Sequence, residues 1–351
     1  MGNTLAPDHL LAERGTHHPL DAHVIAACFS RDGATCAFAT ADGTLHLAPR
    51  SGPWRAVQAH DGGLLALAPD TTRDGFLTGG DDGGFRRTDA AGETTEIAAF
   101  GMKWVEQVAS HVDPKTGDPK SGLLACSVGK RAHVFDANGG TLKVLDHPST
   151  VTGLAFDAKG KRVAASHYNG ASLWFVAAKT DSARPLDWKG SHTGLVIHPA
   201  GEAVVTTMQE NSLHGWRLAD GQHMRMSGYP TKTESLSFSR TGKWLASSGA
   251  ESIVLWPFHG GGPMGKAPTE LATAPDGIIC TRVACHPERD LVAAGFSDGT
   301  VVAVDIPTAR VLPLLASGRG AISALAWSGD GAMLALGSET GFAALLDLAE
   351  R

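Results

Sequence analysis

Five cysteines are scattered through 351 residues, at Cys28, Cys36, Cys126, Cys280 and Cys285, and no CxxC pair occurs. That is too few, and an odd number, for a disulfide framework, and it points to a reducing compartment. No apolar run approaches the roughly 18–20 residues needed to span a bilayer. The opening MGNTLAPDHLLAERGTHHPL has neither the basic n-region nor the apolar h-region of a secretory leader. MGNTLA carries Ala6 where a myristoylation signal wants Ser or Thr. Basic runs are also missing, and the net charge is −6. This argues against nucleic acid, whose binding rests on phosphate neutralisation, and against a polybasic membrane anchor. The expectation is a cytoplasmic protein with neither nucleic-acid nor membrane partners.

Catalytic signatures are equally scarce. No Ser sits in a Gly-x-Ser-x-Gly elbow. The glycine-rich FHGGGPMGK (258–266) lacks the order of a phosphate loop and no helical pattern follows it. It reads as an exposed loop, and the chain reads as a non-enzyme. No helical period is found along the chain.

What is present is a repeat. Taking the residue that ends the first apolar run of each unit gives Phe29, Leu67, Ala109, Phe156, Ile197, Phe238, Cys285 and Trp327. Neighbours are 38 to 47 residues apart, a spacing typical of propeller blades built from several strands. In the first unit VIAACF, ATCAFAT, TLHLAP and WRAVQA read as four strands, broken by SRDG and ADG. The Asp-Gly steps suit hairpins whose central residues need positive φ. Near-continuous apolar strands suit sheets packed on both faces.

The units resemble the WD-repeat β-propellers over nearly the whole chain. FSRDG (29–33), SDGTVVAVD (297–305) and LAWSGDG (325–331) follow that family's grammar, although no unit ends in Trp-Asp. Trp216 and Trp256 keep the tryptophan, while Asp89, Asp136, Asp305 and Asp347 keep the aspartate. The entry-loop histidine is recognised in register only at His147. The resemblance therefore implies an incomplete His–Ser–Asp–Trp hydrogen-bond set in every blade. It implies an all-β propeller of eight four-stranded blades, with seven as the alternative. A single domain, 1–351, is expected, with units near 23–50, 60–89, 102–138, 149–179, 191–221, 231–258, 276–310 and 321–348. Residues 10–16 are expected as the strand that closes the ring against the third strand of the last unit. Two Pro/Gly/Lys-rich insertions, 110–122 and 259–270, read as exposed loops.

The expected function is a non-catalytic, monomeric scaffold that binds a protein or peptide on the face of the strand-entry loops. Candidate contact residues in units three to six are Lys103, Trp104, Arg131, Tyr168, Trp188, Tyr229 and Lys232, because exposed aromatics and arginine are enriched at binding hot spots. The competing reading of Trp188 and Tyr229 is packing inside their own blades. No cofactor is expected. Sixteen histidines suggest a second function, as an accessory of zinc homeostasis, with His17, His18, His23, His60 and Asp61 as the ligand group. A propeller hydrolase ranks third, since fold alone does not exclude it. His198 and His286, each followed by Pro, read as solvated turn formers.

Overall fold

The computed structural model describes residues 6–349. Eight strands line the inner wall of a closed ring. They are Val24–Phe29, Leu64–Pro69, Gln107–His111, Gly153–Phe156, the C-terminal half of Arg184–Ile197, Leu236–Phe238, Cys280–Cys285 and Ile322–Trp327. Each touches the next and the last returns to the first. Antiparallel hydrogen bonding gathers the strands into seven sheets, six of four strands and one of six.

The expectation of eight separate four-stranded blades is thus corrected to seven sheets, the alternative count. Units four and five share the six-stranded sheet, through two fourteen-residue segments, Arg162–Phe175 and Arg184–Ile197. The first doubles back on itself. Asn169 (φ 66°) and Gly170 (φ 137°) form its turn, and the Val176 N–H donates to the Lys161 carbonyl at 3.0 Å. The second leaves unit four and enters unit five with a local kink at Gly190 (φ 109°) but no intervening loop. Its 184–187 stretch pairs with 170–173, and its 192–197 stretch pairs with 204–208. Ser191 still pairs with Tyr168 and the next residue, His192, already pairs with Met208, so no loop parts the two ladders.

The second strand of a unit is the most enclosed. Every residue of Thr35–Thr40, Ala203–Met208 and Met333–Ser338 is buried, as expected for apolar strands sandwiched between neighbouring sheets. Core clusters form between units. Phe38, Val24 and Phe29 of unit one pack with Ala324, Ala335 and Leu345 of unit eight. Outer strands such as Arg55–Gln58 are mostly exposed.

Closure uses a different stretch from the one expected. Gly15–Pro19 forms the strand, pairing from Gly15↔Leu346 to Pro19↔Phe342. Residues 9–14 form a short helix, His9–Arg14. HLLAER is made of residues that tolerate a helix and contains no β-branched side chain. Its Leu10 and Leu11 are buried against Leu314, Leu315 and Leu346. Gly15 makes the change of geometry possible, since a Cβ there would lie 2.7 Å from the Leu11 carbonyl oxygen. Arg14 then ties the corner by donating to Asp347 at 3.2 Å and to the Ala349 carbonyl at 2.6 Å.

His198 and His286 are buried, not solvated. Each reaches the next unit's first turn. The Nε2–H of His198 donates to the Gly242 carbonyl and that of His286 to the Gly331 carbonyl, both at 3.1 Å. The other ring nitrogen accepts backbone N–H groups of its own turn. A Cβ on Gly242 or Gly331 would come within 2.2 or 2.1 Å of the ring, so only glycine lets the imidazole in. The proline after each histidine shapes the turn, and the histidine locks one unit to the next.

Candidate interaction face

The strand-entry loops and the second turns of the units share one face of the ring. On it, residues 100–105 join unit two to unit three. Val105 is fully buried, and its N–H donates to the Gly80 carbonyl at 3.0 Å. At the other end the Phe100 N–H donates to the Gly83 carbonyl, and the Phe100 ring lies 4.7 Å from that of His133. Pinned at both ends, the loop turns outward at Gly101 (φ 65°) and presents Met102, Lys103 and Trp104 to solvent. Met102 is 98% exposed and Trp104 57%.

Arg131 and Tyr168 are exposed as well. Burial lowers the pKa of His133, Arg131 and Lys103 lower it further, and Asp146 opposes them. Arg131 donates to Asp146 at 2.8 Å in an exposed pair. The entry loop of unit four is stitched to the adjacent turn, His147 N–H to the Lys130 carbonyl and Val151 N–H to the Gly129 carbonyl. From that loop Ser149 accepts the Tyr168 N–H at 2.8 Å. The Tyr168 carbonyl faces His167 Nδ1 at 2.9 Å, while its ring stands 57% exposed. Lys103, Trp104, Arg131 and Tyr168 are thus exposed residues borne by entry loops and second turns of units three and four. Met102 is more exposed than Trp104 or Tyr168 and went unnoticed in the sequence. The signal for it was the Gly-Met-Lys-Trp step directly after an aromatic.

The remaining candidates stand differently. Tyr229 is buried, and its hydroxyl bonds both Ser247 Oγ and the indole N–H of Trp256, each at 2.6 Å. It packs inside its blade where the family's histidine would stand, so it is corrected from a contact residue to a core residue. Burial pushes its phenol up to about 12. Trp188 is half-buried, stacked on His214 at 4.0 Å between ring centroids and 12° between planes. It too packs within the sheet. Lys232 is half-buried.

The histidine group does not assemble. His60 is 1% exposed and both its nitrogens are engaged, Nδ1–H donating to Asp82 and Nε2 accepting from Thr78 Oγ1, each at 2.8 Å. It stands in the entry loop of unit two, with Ala59 before it where the repeat has glycine, and it hydrogen-bonds within its own blade. The Asp61 N–H donates to the same Asp82 at 3.1 Å. His17 and His18 are neighbours on the exposed closing strand, so they point to opposite sides of it. Their rings lie against Phe342 and Trp54. His23 is exposed on the following loop. Among the described residues no three His, Cys, Asp or Glu side chains converge to hold a metal.

The WD40 domain of anaphase-promoting complex subunit 4 is the family model that matches, over residues 283–351. Autophagy-related protein 16 of Arabidopsis thaliana is 20% identical over 86% of this chain and 59% of its own length. Telomerase protein component 1 of Mus musculus is 24% identical over 95% of this chain and 12% of its own length. The chain thus spans less than two thirds of either relative. The crystal structure of the computationally designed Ika8 protein superposes with a TM-score of 0.72, at 18% identity, covering 94% of this chain and 98% of that one. That likeness concerns the fold alone. The ring of antiparallel sheets makes the chain a β-propeller, and its C-terminal end, residues 283–351, matches a WD40 family model.

Proposed function

We propose that the protein is a non-catalytic scaffold whose entry face binds a protein or peptide partner through Met102, Lys103, Trp104, Arg131 and Tyr168. The observation that supports this most is the 100–105 loop. It is anchored at Phe100 and Val105, yet it leaves Met102 and Trp104 in solvent. Exposed large apolar side chains held on a rigid support mark interaction surfaces, because no packing gain within the chain explains them. Lys103 and Arg131 flank the aromatics, which favours an acidic, partly apolar partner. The names of the matched proteins agree with such a role: one is a complex subunit and another a component of telomerase. All five cysteines are free, which supports a reducing, cytoplasmic setting. No described helix is long and apolar enough to cross a membrane. The test is quantitative affinity capture with Trp104→Ala and Tyr168→Ala variants, which should lose a partner that the parent holds while keeping the parental melting temperature.

A further inference from the structure

A second concavity lies on the opposite face, where the first and third turns of the units gather. Its volume is 690 Å³, and it runs between the inserted turn of unit three and two turns of unit four. That volume lies within the range of about 300–1,000 Å³ usual for ligand pockets. Leu123, Phe175 and Val176 line it, and Phe175 is 55% exposed although it is a phenylalanine.

Among the charged residues that line it, Lys159 and Lys161 outnumber Asp113, while Lys115 and Lys120 lie exposed on the inserted turn outside the lining. None of the four forms an ion pair among the described residues. The carboxylates of the inserted turn cap their own backbone, which fixes their orientation and leaves their charge in place. Asp113 accepts the Lys115 N–H at 2.9 Å, and Asp118 accepts the Lys120 N–H at 3.0 Å. Asp157 is held by Arg162 at 2.7 Å.

The walls are fixed. Asp118 caps the 3-10 turn Pro119–Ser121, and Gly122 is buried so closely against Thr71 that a Cβ would lie 2.5 Å from its Cγ2. His111 packs against Gly160 (φ 62°), leaving no room for a side chain there. A preformed groove loses little ordering entropy on binding.

We propose that this groove binds an extended acidic segment of a protein partner, with an apolar side chain over Phe175 and Val176 and carboxylates against Lys159 and Lys161. Charge complementarity selects this occupant, and the apolar floor distinguishes it from a bare phosphate or a nucleic-acid backbone. Lying opposite the entry face, it would let the propeller hold two partners at once.

A phage-displayed random dodecapeptide library panned on the full chain tests this. Enriched peptides should combine an apolar residue with several acids. A synthetic fluorescein-labelled copy should bind about tenfold or more weakly to Lys159→Glu/Lys161→Glu and to Phe175→Ser. It should bind Trp104→Ala as it binds the parent, and all these variants should keep the parental melting temperature. No enrichment, a consensus without acids, or binding unaffected by the groove substitutions would overturn the proposal. So would lysine-dependent binding of phosphatidylserine vesicles or of single-stranded DNA with no peptide enriched.

Discussion

The indole N–H of Trp256 and the hydroxyl of Ser247 both meet the phenol of Tyr229 at 2.6 Å, inside one blade. Ser247 passes the chain on to the Val254 carbonyl at 3.1 Å. A tyrosine thus does the bracing that a histidine does in the repeat family. Because all three groups are buried, removing the phenol oxygen strands a donor in an apolar setting. Tyr229→Phe is expected to lower stability by about 1–3 kcal/mol. Urea denaturation measures it, and partner affinity should not change.

His60 sits in a matching cage between Thr78 and Asp82. The His60→Ala variant loses both hydrogen bonds and leaves Asp82 facing an empty buried corner, although Arg86 still pairs with that carboxylate at 3.0 Å. A loss of about 2–4 kcal/mol is expected. Zinc titration by calorimetry should show no saturable uptake that this substitution weakens.

Acid should weaken the ring through its buried histidines. Burial, and then the neighbouring His167, lower His147 to about 4. Its Nε2 accepts the Trp174 N–H at 3.1 Å and must stay deprotonated to do so. His214 falls to about 3 through burial and then the adjacent His223. In the unfolded chain both titrate near 6.5, so below that pH the unfolded state binds more protons. Stability is therefore complete above about pH 6.5 and declines as the pH falls towards 4 and 3. Melting temperatures between pH 7.5 and 4 should drop steeply, and His147→Gln should flatten part of that slope.

The closing strand should be essential. Without Gly15–Pro19, the edge of Phe342–Asp347 is left bare, and Leu10 and Leu11 no longer cover Leu314, Leu315 and Leu346. Deleting residues 1–19 is expected to give aggregating or strongly destabilised protein. Light scattering and thermal melts check this.

The period and the turn chemistry made the propeller legible, because Asp-Gly hairpins and apolar strands recur at a nearly fixed spacing. The sheet count was less so. Nothing in WKGS (188–191) announces that two units would run on as one sheet, since a register continuing through a short link depends on tertiary geometry. The helix at 9–14 was hidden by its length, which is below any detectable period. Among site residues, exposure divided the candidates. Trp104 and Tyr168 stand in solvent while Tyr229 is buried, yet all three occupy loop positions of similar composition. Hydrogen bonds to residues 18 and 27 positions away decide the fate of Tyr229, and no local pattern carries them.

The central claim is that the entry face around Trp104 and Tyr168 is where a partner binds. The most direct measurement is label-free quantitative affinity capture from the native cell extract. It compares the parent, the Trp104→Ala/Tyr168→Ala double variant and a Leu142→Ser control, Leu142 being 49% exposed on an outer strand. The expected result is a small set of proteins held by the parent and by the control, and lost about tenfold or more from the double variant at unchanged melting temperature. Equal capture by all three, or a double variant that loses its partners only because it unfolds, would contradict the claim.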